Sequence, residues 1–207
     1  MITTLGMLVL GTVCLPLAQP RGIVADTVSR ETLYRQGTTF ETFLDQVVGR
    51  REMWLRNYER GTVPEDLMHR ARAVPGRWHL LVVTVDRCSD SANIVPYVAH
   101  LVDAVEALEM RLIDPDLGRG IMEAHRTPDG RAATPTIVLL NTAFQEVGCF
   151  IERPSGLQAW ALEHRQDLDD AEFLKQKFAW YDNEQGRQTL SEIIDLMEAA
   201  TSGRIGC

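Results

Sequence analysis

The pattern of apolar and polar residues predicts helices near both ends of the chain. Residues 38–60 carry apolar side chains at helical spacing behind a capping box that Thr38 opens, which predicts an amphipathic helix. Pro64 begins a second helix, so this region is interpreted as a helical hairpin. Residues 169–200 show the same period, with a predicted break at 183–186.

The middle of the chain changes to patterns that are typical of strands. Trp78 to Val85 is a continuous apolar run rich in β-branched residues, which predicts a strand covered on both faces. Further strands are predicted over residues 109–113, 137–140 and 146–151, the last two as an antiparallel hairpin. Helices are predicted after Cys88, over residues 117–125 and from Ser155. This order predicts an α/β fold with a central mixed sheet flanked by helices.

These patterns divide the chain into four segments. They are an apolar extension at 1–25, an N-terminal helical region at 30–76, an α/β domain at 77–165 and a C-terminal helical tail at 166–207. Residues 2–18 of the extension carry no charge and fit the core of an export signal cleaved after Ala18 or Ala25. The basic residues that usually precede such a core are absent, because Arg21 is the first cation.

Two interpretations of the extension therefore stand side by side. A cleaved signal peptide would make the protein periplasmic or extracellular, and a disordered extension would leave it cytoplasmic. The apolar run is slightly short for a transmembrane helix, so no stable membrane span is expected after processing.

Charge and cysteine spacing exclude two classes of function. The net charge of −8 argues against binding to nucleic acid, which requires a basic face. The cysteines form no CxxC pair, and neither they nor the scattered histidines have the spacing of metal ligands. No metal and no cofactor are predicted.

Cys88 is the main candidate for chemistry. It lies between a predicted strand and a predicted helix, where free backbone N–H groups and the helix dipole favour a thiolate. Arg87 acts in the same direction, and a hydroxyl of Ser89 or Ser91 can donate a hydrogen bond to the sulfur. Asp90 opposes the thiolate by like-charge repulsion unless its side chain turns away.

The two later cysteines have several interpretations. Cys149 lies in the hairpin strand on the face shared with Val147 and Ile151, which favours a buried core thiol. Cys207 follows a predicted flexible segment that can carry it to Cys88 or to another molecule. Either cysteine is a candidate to resolve a mixed disulfide on Cys88, and an oxidising compartment favours an intramolecular or intermolecular disulfide.

Residues 78–161 resemble a thioredoxin fold. The resemblance rests on a strand followed by a cysteine at a helix start and on a proline that begins the later hairpin. Pro96, eight residues after Cys88, matches the proline that kinks the thioredoxin helix. Thr134–Pro135 matches the cis-proline that faces the active cysteine, and a cis peptide is essentially confined to X–Pro bonds. The resemblance identifies residues 77–165 as a thioredoxin-like domain.

The motif DRCSDS followed by ANIVPYVAHL is similar to a monothiol branch of the superfamily, with C-[GS]-D-[SA] in place of CxxC. Gly130–Arg131 before the proline matches the same branch. The chain departs from dithiol thioredoxins in four places. They are Ser91 for the resolving cysteine, Arg87 for the preceding tryptophan, Ser89–Asp90 for the Gly-Pro pair and Val82 for the buried acid.

The resemblance implies a monothiol thiol–disulfide oxidoreductase. In it Cys88 is the nucleophile, Arg87 and Ser91 support the thiolate, and Thr134 and Pro135 shape the edge that receives a protein or low-molecular-weight thiol substrate. Ordinary dithiol turnover is not available, because that reaction needs a second thiol at the motif. One alternative is a non-catalytic module that binds a peptide or protein in the same groove. A single-cysteine peroxidase, with Arg87 or Arg131 across the pocket, ranks third.

Overall fold

The structure is a computed structural model that describes residues 28–207, so the predictions about residues 1–25 lie outside the described residues. Its four strands form one mixed sheet with the order β2-β1-β3-β4. The strands are β1 (Trp78–Val83), β2 (Leu108–Ile113), β3 (Thr136–Leu140) and β4 (Glu146–Ile151). β1 and β2 are parallel, whereas β3 runs antiparallel to both β1 and β4. The predicted hairpin of β3 and β4 is confirmed.

The N-terminal region holds four short helices. They are α1 (Arg30–Gln36), α2 (Phe40–Gln46), α3 (Arg51–Arg60) and α4 (Glu65–Ala73). The prediction of one helix over 38–60 was wrong, because Arg50 adopts a left-handed conformation (φ 54°) that separates α2 from α3. The cap is also displaced by one residue. Thr39 accepts the hydrogen bond from the Thr42 N–H, and Thr38 instead bridges to Leu112 on β2.

Five helices follow β1. They are α5 (Ser89–Ala104), α6 (Arg119–Ala124), α7 (Ser155–His164), α8 (Asp170–Glu184) and α9 (Arg187–Thr201). The predicted break in the tail is confirmed at Gln185 and Gly186, which are both left-handed. Glycine is required at 186, because a Cβ there would collide with the ring of Tyr97 on α5. The break thus lets α9 turn back onto the domain.

Helices cover both faces of the sheet. On one face, Leu80 and Val82 of β1 pack with α3, α5 and α9 through Trp54, Ile94 and Leu190. On the other face, β1 packs with α1 and α6, and the residues that meet there include Leu33, Leu81, Val83 and Ile121. The doubly covered strand that the apolar run predicted is confirmed. Within residues 28–207, no helix combines the length and the apolar character needed to cross a bilayer.

Candidate thiol site

Cys88 caps the N-terminus of α5, where the chain leaves β1. Its Sγ accepts a hydrogen bond from the backbone N–H of Ser91 at 3.4 Å. The same Sγ lies 3.1 Å from the carbonyl oxygen of Thr134, to which the thiol donates. Cys88 is half-buried, and it is the free cysteine of residues 28–207. The sulfur is therefore held between a helix N-terminus and the loop that precedes β3.

The loop before β3 contacts the sulfur through Thr134 and has a fixed backbone. The Thr134–Pro135 peptide bond is cis. The carbonyl of Pro135 accepts a hydrogen bond from the Glu152 N–H at 2.8 Å, and the Thr136 hydroxyl donates to the Ala133 carbonyl at 2.7 Å. The N–H of Thr134, in contrast, makes no hydrogen bond to any residue in the described range 28–207. An extended peptide at this edge can accept a hydrogen bond from that N–H.

The N-terminal helices hold the chain just before Cys88. The indole N–H of Trp54 donates to the Asp86 carbonyl at 2.8 Å. The Asp86 carboxylate accepts hydrogen bonds from the backbone N–H groups of Gly49 at 2.6 Å and Val48 at 3.2 Å. The bond from Gly49 lowers the pKa of Asp86 more than any other contact, and partial burial opposes it. The turn between α2 and α3 thus positions residues 86–88.

Arg87 and Ser91 do not hold the sulfur with their side chains. Arg87 is exposed, and its guanidinium makes no hydrogen bond to another residue of the described chain. The Ser91 hydroxyl is fully buried without a hydrogen-bond partner among residues 28–207, so only its backbone N–H contacts Sγ. The hydroxyl of Ser89 accepts a hydrogen bond from Lys177 Nζ at 3.0 Å. The backbone therefore supplies the N–H contact to Cys88.

Asp90 points into the protein and is compensated there by cations. Its carboxylate lies 3.1 Å from Lys177 Nζ and 3.3 Å from the Arg153 guanidinium, and it accepts a hydrogen bond from the Tyr181 hydroxyl at 2.8 Å. Burial by itself raises the pKa of Asp90, but Lys177 and Arg153 outweigh burial and hold the pKa below its usual range. Burial also raises the pKa of Tyr181 well above its usual range, so Tyr181 donates its proton to the carboxylate.

A chain of ion pairs continues from Asp90 to the proline loop. Arg153 also contacts the buried carboxylate of Glu152 at 3.1 Å, and Arg131 pairs with Glu152 at 3.0 Å and with Asp129 at 2.6 Å. The hydrogen bond from Arg131 lowers the pKa of Asp129 to about 2. The guanidinium of Arg131 is therefore paired with these two carboxylates.

Cys149 and Cys207 lie next to each other rather than next to Cys88. They form a disulfide with a Cα–Cα distance of 5.0 Å. Cys149 pairs with Val138 of β3, two residues beyond the Thr136 that follows the proline loop. The interpretation of Cys149 as a buried core thiol was wrong, because the side chain is half-buried and bonded. Cys207 was expected to reach Cys88 or another molecule, whereas the structure bonds it to Cys149.

The sequence interpretation missed the residues that surround Asp90. Lys177 and Tyr181 come from α8, and Glu152 and Arg153 follow β4. A signal for Lys177 was present, because it lies four residues from both Phe173 and Tyr181 on the apolar stripe of α8, where a cation needs a buried partner. No comparable pattern marks Glu152 or Arg153, because their other partners, Arg131 and Asp90, lie 21 and 63 residues away.

The mixed sheet, the cysteine at the start of α5 and the cis-proline opposite it are the features of a thioredoxin-like protein. A family model described as "Thioredoxin" matches residues 37–172, which is more than half of the chain. The chain therefore belongs to the thioredoxin family, and the predicted α/β thioredoxin-like fold is confirmed.

Two solved structures share this fold. One is a protein of unknown function, PA1234 from Pseudomonas aeruginosa, at 18% identity and a TM-score of 0.64 over 83% of this chain and 98% of that one. The other is an HIV epitope scaffold, at 17% identity and a TM-score of 0.64 with the same coverage. Both likenesses concern the fold alone. No curated protein matches the chain.

Proposed function

We propose that the protein carries out monothiol thiol–disulfide exchange through Cys88. The observation that carries the proposal is the position of Cys88 Sγ at the start of α5, where it accepts a hydrogen bond from the Ser91 N–H at 3.4 Å and faces the proline loop through the Thr134 carbonyl at 3.1 Å. A thiolate at this position gains the hydrogen bond from the helix N-terminus and the favourable end of the helix dipole.

The environment of Asp90 supports the same proposal. An unpaired carboxylate two residues after Cys88 would oppose a second negative charge on the sulfur. Here Lys177 and Arg153 compensate that carboxylate inside the protein. The two cations, one on α8 and one after β4, therefore offset the repulsion between the Asp90 carboxylate and a thiolate at Cys88.

The exchange proceeds in two balanced steps. The Cys88 proton leaves to solvent, and the thiolate attacks one sulfur of a substrate disulfide, so that a bond forms from Cys88 to that sulfur and the other sulfur leaves as a thiolate. A low-molecular-weight thiol then attacks the substrate sulfur of the mixed disulfide. This second step regenerates the Cys88 thiolate and joins the incoming thiol to the substrate by a new disulfide.

The proline loop supplies the binding edge for this substrate. The Thr134 N–H has no hydrogen-bond partner among residues 28–207, and the carbonyl of the same residue contacts the sulfur. The exposed Arg87 lies one residue from Cys88. An extended protein substrate accepts a hydrogen bond from that N–H, as in strand addition to an open sheet edge. The similarity of the CSDS motif to the monothiol branch of the superfamily supports the same assignment.

A non-catalytic peptide-binding module is the second candidate. One observation favours it: the structure brings no second thiol to Cys88 among the described residues, since Cys149 and Cys207 are bonded to each other. In that function the same groove and the same Thr134 N–H bind a peptide, and Cys88 takes no part in chemistry.

A comparison of folded and unfolded protein distinguishes the two functions. The rate of reaction of Cys88 with oxidised glutathione is measured at neutral pH on the native chain and on the same chain in urea. The effect of urea on the intrinsic rate is corrected with a free thiol measured in both solvents. Peptide mapping by mass spectrometry assigns the modified cysteine, because the chain also contains Cys14.

We expect the native thiol to react faster than the unfolded one, since only the fold supplies the helix N-terminus. Release of the mixed disulfide by reduced glutathione should follow. A Cys88→Ser variant should show no modification at this position. A native rate at or below the unfolded rate would rule out the exchange function in favour of the binding module.

A further inference from the structure

Three metal-ligating side chains meet at a second site, away from Cys88. One ring nitrogen of His125 and the sulfurs of Cys149 and Cys207 all lie within 4.8 Å of one another. His125 follows α6, Cys149 is in β4, and Cys207 belongs to the segment after α9. These three residues are far apart in the sequence, so the sequence shows no metal-ligand spacing that would have predicted the cluster.

Backbone hydrogen bonds hold Cys207 in place in addition to the disulfide. The Cys149 N–H donates to the Gly206 carbonyl at 2.8 Å, and the Gly206 N–H donates to the Val147 carbonyl at 3.3 Å. Residue 206 thereby forms a parallel bridge with Gly148 at the free edge of β4. A Cβ on Gly206 would lie 3.0 Å from the Leu196 side chain of α9, so the segment fits closely between β4 and α9.

Glu146 orients the imidazole of His125. The buried Nε2 lies close to one carboxylate oxygen of Glu146, whose other oxygen accepts a hydrogen bond from Arg30 at 2.9 Å. In metal sites a carboxylate usually holds one ring nitrogen of a histidine so that the other nitrogen faces the metal. With Nε2 turned to Glu146, Nδ1 is the nitrogen of His125 that is free to bind a metal.

We propose that Cys149, Cys207 and His125 bind Zn²⁺ when the Cys149–Cys207 disulfide is reduced. Two thiolates and one imidazole are a ligand set that zinc prefers, and the fourth tetrahedral position is open to water. A dithiol or phosphine reductant supplies two electrons, and the disulfide takes up two protons to give two thiols. Zinc then displaces those two thiol protons as it binds.

The disulfide and the zinc site cannot form at the same time, but each of them fixes residue 207 to β4. In the oxidised state the covalent bond ties residue 207 to β4. In the reduced state the metal ties the same residues together and adds His125. The edge of β4 that Gly206 covers is therefore kept closed under both oxidising and reducing conditions, which protects an otherwise open sheet edge.

Cobalt titration of the full chain tests the zinc site. The protein is reduced with a phosphine under anaerobic conditions, freed of excess reductant and titrated with Co²⁺, whose bonds to thiolates give an intense charge-transfer absorption. We expect saturation at one equivalent and loss of the absorption when Zn²⁺ is added. The protein with its disulfide intact should show no such band.

Variants assign the ligands. Cys149→Ser and Cys207→Ser should each greatly weaken the charge-transfer band, and His125→Ala should weaken Co²⁺ binding at least about tenfold. Cys88→Ser and His164→Ala, which change a free thiol and a histidine outside the cluster, are the matched controls and should bind as the wild type does.

Absence of the band in the reduced wild type would overturn the proposal. So would a band that survives Cys149→Ser or disappears in Cys88→Ser. These results are independent of the exchange reaction at Cys88, since none of them is read from that activity.

Discussion

Lys177 of α8 lies 3.1 Å from the carboxylate of Asp90, 87 residues away in sequence, and both side chains are buried. The pair joins the C-terminal helical tail to the first turn of α5, directly behind Cys88. The tail therefore forms part of the candidate site, rather than an appendage to the domain.

Replacing Lys177 should strongly destabilise the protein. Lys177→Met leaves the Asp90 carboxylate buried without its nearest cation, and breaking a buried pair typically costs about 3–5 kcal/mol. We expect the lower end, about 3 kcal/mol, because Arg153 and Tyr181 still contact Asp90. Urea denaturation measures this free energy of unfolding.

Lys175→Met is the matched control for that measurement. Lys175 is exposed and pairs with Glu172 on the surface of the same helix, so its loss should cost less than about 1 kcal/mol. Equal effects of the two substitutions would contradict the buried pair.

The low pKa of Asp90 predicts how stability depends on pH. The pKa of an aspartate in the unfolded chain is about 3.9, and the pKa of the folded Asp90 is lower because Lys177 and Arg153 outweigh its burial. The stabilisation is therefore complete above the unfolded value and is lost as the pH falls through the folded one.

In Asp90→Asn the free energy of unfolding should decrease less than in the wild type as the pH is lowered from about 5 to about 3, because the asparagine does not titrate. The exposed Asp45 is the control, and Asp45→Asn should keep the wild-type slope. Denaturant titrations at a series of pH values give both slopes. An unchanged slope in Asp90→Asn would show that the carboxylate is not held in its charged form by these cations.

Ser91→Cys should create a redox-active disulfide with Cys88. The backbone of residue 91 already contacts Cys88 Sγ, and the buried Ser91 hydroxyl makes no hydrogen bond with residues 28–207 that the substitution would break. We expect mild oxidation to link positions 88 and 91, as shown by mapping of the linked peptide under non-reducing conditions. Ser91→Ala is the control and should leave Cys88 free. A Ser91→Cys protein whose two thiols stay reduced would contradict the assigned geometry.

Trp54→Phe should weaken the support of the turn before Cys88. It removes the indole N–H that donates to the Asp86 carbonyl and leaves that acceptor without this partner, which costs about 1–3 kcal/mol in addition to lost packing. Trp180→Phe is the control, because the Trp180 indole N–H makes no hydrogen bond within the described part of the chain. Thermal or urea unfolding compares the two, and equal losses would show that this hydrogen bond contributes little.

Much of the fold was predictable because its signals are local. The uninterrupted apolar run of β1, the hairpin of β3 and β4 and the break at Gly186 each depend on residues that are neighbours in sequence. The position of Cys88 at the start of α5 follows from the same local pattern. The prediction of a single helix over 38–60 was wrong at one point. The apolar spacing continues through this region, but Arg50 adopts a left-handed conformation that divides it into two helices.

The sequence by itself therefore determined the sheet, the helices that flank it and the place of Cys88 at a helix N-terminus. Only the tertiary structure decided what surrounds that cysteine. Asp90 follows Cys88 by two residues in the sequence, but the effect of its charge depends on Lys177 and Arg153, which belong to distant elements. The pairing of Cys149 with Cys207, and the approach of His125 to both, likewise depend on how separate elements pack. Hydrophobic periodicity acts over a few residues, whereas charge compensation and ligand clusters are set by contacts between elements, which no local pattern records.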